Sequence, residues 1–406
     1  MKKVLSGFIC LLLIFSLSTT FFADAITQDS LSEYLYGIDE GDIAVLSDIA
    51  KPNLNISAKS AVLMEASTGT VLYENNKDEK LPPASVTKVM TMLLIMEELD
   101  SGRLTLEDTV SASEHAVSMG GTQIYLEVGE TMTVNDLFKS LCVSSANDAA
   151  VALAEHIAGS ESEFVRRINE RAAQLGMTNS NFTNCTGLFD DDDHYTTAYD
   201  LALATAELLK HPKIHEFTTI WMDTVRDGMF GLANTNKMMR TYQGMNGMKT
   251  GYTQLARHCL SGTATRDGMT LIAVVLSAPS GKERFADVAT MLDYGFATFA
   301  TVSAAPEVPE SIKVVKGKLP TVGIEVTEGL STVVLKGKEK TLDINIELVE
   351  KLNAPIQKGT PVGVVSYKIN GETVKTANIV TSEDVGEASF LDWAARILGK
   401  IVMKTE

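Results

Sequence analysis

The sequence predicts an α+β protein: a mixed helix-and-strand domain over residues 56–300, a small all-β domain over 308–382 and a C-terminal amphipathic helix over 388–404. Three patterns carry this reading. Strand-like runs near residues 61 and 262 bracket a helical middle. Short β-rich runs separated by turn residues follow Pro306. The tail then returns to a helical period with one apolar face.

The totals agree. A chain of 406 residues is long enough for two or three domains. Its 45% hydrophobic and 21% charged residues are those of a globular protein. A formal net charge of -17 argues against a nucleic-acid partner, because phosphate contacts need clustered Lys and Arg.

Taken in order, the chain opens with a sorting signal. Lys2 and Lys3 precede a mostly apolar run, residues 5–17, that is too short to span a bilayer. Ala23-Asp24-Ala25 fits the small-x-small cleavage rule, so residues 1–25 read as a signal peptide and the mature chain is expected to start near Ile26. Cys10 falls inside the apolar run without the small residues that precede a lipoprotein cysteine. Cleavage leaves Cys142, Cys185 and Cys259, an odd count with no zinc-type spacing, expected as small buried residues. Residues 26–55, with Gly37, Gly41 and Pro52, read as a leader.

Residues 61–66 and 70–73 read as strands around the turn Ser67-Thr68-Gly69. Pro82-Pro83 ends the extended segment, and residues 85–99 carry Val86, Val89, Met90, Leu93, Leu94 and Met96 without a breaker, a buried helix. Further helices are expected over 134–140, 149–157, 163–175, 199–209 and 288–299. Residues 262–265 and 271–276 read as strands on either side of an Asp267-Gly268 turn. In the all-β domain the runs are 312–315, 332–335, 342–346, 361–365 and 374–380. In the tail, Phe390, Leu391, Ala394, Ile397, Leu398, Ile401 and Val402 share one helical face, with Asp392, Arg396, Lys400 and Lys404 opposite and Trp393 at the boundary.

Three short motifs carry chemistry. Serine is a poor nucleophile without a nearby base. Ser85-Val86-Thr87-Lys88 places a lysine one turn beyond a serine, and a lysine is a base only where burial and neighbouring cations lower its pKa. Ser145-Ala146-Asn147 taken alone reads as a helix N-cap for the run at Ala149. Lys249-Thr250-Gly251 taken alone reads as a turn before a strand. In this order within one domain, the three match the triplet of β-lactamases and penicillin-binding proteins.

The wider sequence resembles the D-alanyl-D-alanine carboxypeptidases, the low-molecular-mass penicillin-binding proteins of peptidase S11 type. The matching stretches are Leu81 to Lys88, Ser144 to Ala150, Asn184-Cys185-Thr186-Gly187-Leu188, His194 to Asp200, Asn234-Thr235-Asn236-Lys237 and Gly247 to Thr253. The likeness runs from about residue 60 to 299 and continues through the β domain and tail. It departs at Ala256-Arg257-His258, where the family often has glycine after the alanine.

The resemblance implies a serine β-lactamase/penicillin-binding-protein-like catalytic domain and the following roles. Ser85 attacks the carbonyl between the last two D-alanines of a peptidoglycan stem peptide, and Lys88 takes its proton. Ser145 relays a proton to the leaving amine, while Asn147 orients Lys88 and the substrate amide. Lys249 adds positive charge, and Thr250 binds the terminal carboxylate beside Gly251. The backbone N–H groups of Ser85 and Tyr252 form the oxyanion hole. Arg284 matches an arginine supporting carboxylate recognition, with a surface salt bridge to Asp287 as its alternative. Water then releases the product, and no metal or organic cofactor is needed. The implied partners are stem peptides, β-lactam antibiotics and the outer face of the cytoplasmic membrane, which the tail would meet peripherally.

The other readings are a serine β-lactamase, a transpeptidase, an endopeptidase acting on crosslinks and a binding module without turnover. The separate β domain and tail disfavour the first, and the complete triplet disfavours the last.

Overall fold

The computed structural model describes residues 52–394, apart from 190, 305, 328–329, 339–341 and 370. The expected signal peptide, most of the leader and the tail beyond residue 394 lie outside the described residues.

The first unit is built on a five-stranded antiparallel sheet. Its strands are β1 (Ser60–Glu65), β2 (Val71–Asn75), β3 (Met245–Thr253), β4 (Arg257–Arg266) and β5 (Met269–Ala278). Their order is β2-β1-β5-β4-β3, so the N-terminal hairpin joins a strand more than two hundred residues away in the chain. Every residue of β1 is buried, because both faces of the sheet are covered. Val62, Met64, Ile272 and Val274 pack on the helical side. Ala61, Leu63, Ala273 and Val275 pack against α6 (Gly281–Thr298). That is why β1 reads as a continuous apolar run and does not alternate.

The helical middle holds α1 (Lys88–Asp100), α2 (Val134–Ser144), α3 (Asn147–Ala158), α4 (Glu161–Gln174) and α5 (Ala198–Leu209), close to the expected spans. Helix α1 is buried at every residue from Lys88 to Met96, so it shows no amphipathic stripe. Helix α6 begins seven residues before the expected 288. Its start is a capping signal, not an apolar period: the Ser280 side chain accepts from the Glu283 N–H.

Helices α2 and α3 are separated by a sharp break. Ser145 ends α2 in the left-handed region at φ 69°. The N-cap of α3 is Ala146, with no side-chain cap, so the capping expected from the Ser145-Ala146-Asn147 motif is not what these side chains do. Lys249-Thr250-Gly251 likewise lies within strand β3 and not in a turn before it.

The second unit is all β. A six-stranded sheet has the order β10-β12-β13-β8-β7-β11, from β7 (Ser311–Val315), β8 (Thr321–Val326), β10 (Leu342–Leu348), β11 (Lys351–Asn353), β12 (Pro361–Ile369) and β13 (Glu372–Thr381). Beside it, β6 (Phe299–Ala304) pairs with β9 (Leu330–Leu335). Strand pairing therefore resumes at Phe299, directly at the end of α6. Val333 of β9 packs with Phe296 and Phe299 in the core beneath α6, which joins the β unit to the first unit. Cys142, Cys185 and Cys259 are buried and unbridged.

Buried Asp148 fixes the loop that covers this break. Its carboxylate accepts the backbone N–H groups of Ile124, Leu126 and Ala149. Asp148→Ala is expected to lower unfolding free energy by about 3 kcal/mol, because buried donors lose a charged acceptor. Asp148→Asn, which keeps one acceptor oxygen, should lose less. Urea denaturation followed by tryptophan fluorescence checks the order.

Candidate active site

Ser85 sits on a 3-10 turn, Ala84–Thr87, that leads into α1. The expected helix therefore starts in the tighter form. In that form, side chains at i and i+3 eclipse. Lys88 Nζ accordingly lies 3.2 Å from Ser85 Oγ.

Lys88 is fully buried. Its other partners are Asn147 Oδ1 at 2.6 Å and the Thr186 carbonyl at 2.8 Å. None of the three is a carboxylate. Burial pushes its pKa down to about 7, with Cys185 and Asp148 opposing more weakly. A neutral amine has two N–H donors and one lone pair. Donation to Asn147 and Thr186 uses both donors and leaves the lone pair facing the Ser85 hydroxyl.

Each partner is held in turn. Asn147 Nδ2 donates to the Gly120 carbonyl, and its backbone N–H donates to Thr122 O. The Thr186 carbonyl is aimed by Asn184, whose Oδ1 accepts the N–H groups of Thr186 and Gly187. Gly187 has φ 67°, and a Cβ there would lie 1.9 Å from Ala84 O, so only glycine lets this loop meet the Ser85 turn. His194 joins the two segments. Thr183 N–H reaches its Nδ1 at 3.1 Å, which makes Nδ1 the acceptor. Its Nε2–H then donates to Thr87 Oγ1 at 2.8 Å. Burial pushes the imidazole down to about 4, so it is neutral at pH 7.

Strand β3 forms the opposite wall. A Cβ on Gly251 would lie 2.7 Å from Pro83 O and 3.1 Å from Ser85 N, so the strand abuts the Ser85 turn through a glycine. Lys249 is buried and donates to Thr250 O at 2.9 Å. Burial first, then the charges of Lys88 and Arg284, hold its pKa well below the ordinary lysine value. Thr250 Oγ1 donates to Thr235 Oγ1 at 2.7 Å. Tyr252 is exposed and its ring stacks on His258, 4.5 Å between centroids.

Arg284 does not pair with Asp287. Its Nη1 donates to the carbonyls of Gly251 and Cys259, bracing β3 against β4. Asp287 accepts from Ser57 and from the Ala58 N–H instead. The salt-bridge alternative is therefore set aside: the carboxylate is consumed by the chain entering β1. Arg257 stands at φ 56°, a backbone conformation that suits glycine, so the glycine common in the family fits this position, and nothing in the structure explains the arginine here.

The fold thus brings Ser85, Lys88, Asn147, Lys249, Thr250 and Gly251 into one cluster of contacting segments. Ser145 is buried at the break beside them but is not among the partners of Lys88. Roles for Thr186, Thr235, Asp148 and His194 were not foreseen. A backbone carbonyl leaves no side-chain signature, and the segments of the other three were visible only as stretches of likeness.

A family model described as D-alanyl-D-alanine carboxypeptidase matches residues 47–280, and one for the penicillin-binding protein 5 C-terminal domain matches 296–387. The chain is 43% identical over 348 residues to the D-alanyl-D-alanine carboxypeptidase DacF of Bacillus subtilis, covering 84% of this chain and 89% of that one. Penicillin-binding protein 5 of Haemophilus influenzae superposes with a TM-score of 0.73 at 31% identity, covering 84% of this chain and 100% of that one. Penicillin-binding protein D2 of Listeria monocytogenes in its ampicillin-bound form gives 0.55 at 33% identity, covering 60% of this chain and 100% of that one.

The buried imidazole predicts a pH dependence of stability. Its pKa is about 4 in the folded chain, against an ordinary value near 6.5. Between those values the unfolded chain binds more protons, so stability is full above about pH 6.5 and falls as pH drops toward 4. His194→Gln should flatten that part of the profile. Denaturation midpoints of both proteins across pH 4–7 check it.

Proposed function

Since the chain belongs to the D-alanyl-D-alanine carboxypeptidase family, we propose that Ser85 is its nucleophile and Lys88 its general base. The enzyme is a serine-type D-Ala-D-Ala carboxypeptidase that trims peptidoglycan stem peptides and works outside the cytoplasm. The observation that carries the assignment is the buried Lys88 amine, 3.2 Å from Ser85 Oγ with both its N–H donors engaged elsewhere.

The reaction runs in two halves. The Ser85 proton passes to Lys88 as Oγ attacks the carbonyl between the last two D-alanines. Backbone N–H groups of Ser85 and Tyr252 stabilise the oxyanion, a contribution of about 3 kcal/mol per donor. Close packing of Gly251 against the Ser85 amide favours this pairing. Ser145 returns a proton to the leaving D-alanine, and Asn147 holds Lys88. Thr250 and Lys249 receive the terminal carboxylate, with Arg284 stiffening the strand that presents them. Water then cleaves the acyl-enzyme. Penicillin would enter the same site and acylate Ser85, a reading supported by the ampicillin-bound relative.

We propose residues 56–300 as the catalytic domain and 308–382 as a spacer, a division that the family matches over 47–280 and 296–387 support. We also propose that residues 388–404 lie in the outer leaflet of the cytoplasmic membrane. Phe390 and Leu391 are exposed at 85% and 76%, as an unpartnered apolar face requires. Among the described residues no helix is long and apolar enough to cross a bilayer.

A fluorescent penicillin should label the peptide containing Ser85, and Ser85→Ala should abolish the label. Wild-type acylation should fall as pH drops below about 7, where Lys88 becomes protonated. Lys88→Arg, permanently charged, should acylate at least about 100-fold more slowly. Normal acylation by Lys88→Arg would move the base elsewhere. Mass spectrometry of pentapeptide digests should show free D-alanine, and crosslinked dimers as the main product would point to transpeptidation.

Deleting residues from 388 onward should release the protein from the membrane fraction while leaving penicillin labelling intact. Continued pelleting of the truncated protein would exclude the tail as anchor.

A further inference from the structure

The loop over residues 118–130 forms neither helix nor strand, yet Asn147 depends on it. The Gly120 carbonyl accepts from Asn147 Nδ2 at 2.8 Å, and the Thr122 carbonyl accepts the Asn147 N–H at 2.7 Å. Asn147 Oδ1 in turn lies 2.6 Å from Lys88 Nζ. A segment with no ladder of its own needs partners elsewhere to fix its backbone. Asp148 is one, accepting the N–H groups of Ile124 and Leu126.

Arg226 is the other. It opens the turn of a hairpin whose strands are Met222–Val225 and Phe230–Ala233. Val225 and Leu232 are buried in the helical core, so the hairpin is a fixed support. The guanidinium forks onto Glu130, with Nε 2.7 Å from Oε1 and Nη2 3.0 Å from Oε2. Nη1 also donates to the Ile124 carbonyl at 2.6 Å, and Nη2 to the Tyr125 carbonyl at 3.2 Å. Both backbone polar groups of Ile124 are thus held by charged side chains, the N–H by Asp148 and the carbonyl by Arg226. Phe230 of the hairpin lies against the guanidinium and meets the Tyr125 ring edge-on. Arg226 itself stands at φ 54°, a conformation that a non-glycine residue keeps only where its surroundings hold it.

We propose that Arg226 is a positioning residue for acyl transfer: from the hairpin it locks the 118–130 loop, so that Gly120 and Thr122 hold Asn147 against Lys88. The inference rests on the reading that Lys88 is the general base. A lysine at 226 could not replace the arginine, because one ammonium cannot span a carboxylate and two carbonyls in a fixed fork.

The test compares the intact wild-type protein with Arg226→Gln, which stays polar but loses the fork and the charge. Two quantities are read: the rate of acylation by a fluorescent penicillin, and amide hydrogen exchange at Asn147 and in β5. Acylation should slow about 3- to 30-fold, within the coupling range of residues in one hydrogen-bond network. Exchange at the Asn147 N–H should accelerate while exchange in β5 stays unchanged. Glu130→Gln, which breaks the fork from its other end, should give the same pattern at smaller size. Slower acylation with unchanged exchange at Asn147 would overturn the proposal, because the effect would not run through the loop. So would faster exchange at Asn147 with wild-type acylation. Equal acceleration in β5 would overturn it as well, being the mark of global destabilisation. These outcomes leave the Lys88 reading standing, whereas normal acylation by Lys88→Arg would overturn both together.

Discussion

The structure depends on a lysine held in the protein interior with no counter-ion. Lys88 is fully buried and its three polar partners are a hydroxyl, an amide oxygen and a backbone carbonyl. Burying a charged ammonium in such a setting is costly, so its pKa falls to about 7 and the neutral amine becomes accessible near neutral pH. A carboxylate at any of those positions would favour the charged form and raise the pKa again. The site is therefore defined as much by the neutrality of its contacts as by the lysine itself. The carboxylate of Asp148, next to Asn147 in the chain, is bound to three backbone N–H groups and only weakly opposes the downward shift of Lys88.

That requirement explains local choices which look arbitrary one at a time. Lysine can be buried at the start of α1 because the helix is apolar on all sides and sits under the sheet. The partners must come from elsewhere in the chain, so a helix break supplies Asn147 and a tight loop supplies the Thr186 carbonyl. Both must approach closely. Gly187 and Gly251 lie where a side chain would strike the backbone of the Ser85 turn. The Ser85 turn is thus clamped between two glycines, and His194 completes the clamp from below through Thr87.

Much of this was legible in the sequence because short-range patterns carry it. The apolar run of α1, the amphipathic period of α4 and the Asp267-Gly268 hairpin each have a local physical cause. The functional triplet was legible because spacing on a turn fixes Ser85 and Lys88 relative to one another. What was not legible is tertiary. Ser145-Ala146-Asn147 has the composition of a helix cap, and only the fold shows that Asn147 turns its side chain to Lys88. Strand β8 was not among the expected runs although Val322, Ile324 and Val326 alternate with Gly323 and Glu325; the stretch is short, and its place comes from pairing with β7 and β13. Arg284 offers no sequence cue that separates a carboxylate ligand from a surface ion pair. Its contacts show instead a brace across the carbonyls of Gly251 and Cys259.

The two buried lysines also constrain each other. Lys249 feels the charge of Lys88 and of Arg284 in addition to its own burial, so full protonation of the group is disfavoured. One neutral and one charged lysine is the arrangement that a substrate can bias. On the reading in which Thr250 holds the terminal carboxylate, the arriving anion lies beside Lys249 and stabilises its protonated form. A proton on Lys249 makes a second proton on Lys88 still less favourable. Substrate binding at the carboxylate end therefore favours the base at the reacting end, with no movement of either side chain. Lys249→Arg would place a permanent charge there and should hold Lys88 neutral even in the free enzyme. Its acylation by penicillin would then fall off at a lower pH than in the wild type, and a fall-off at unchanged pH would show that the two lysines do not communicate.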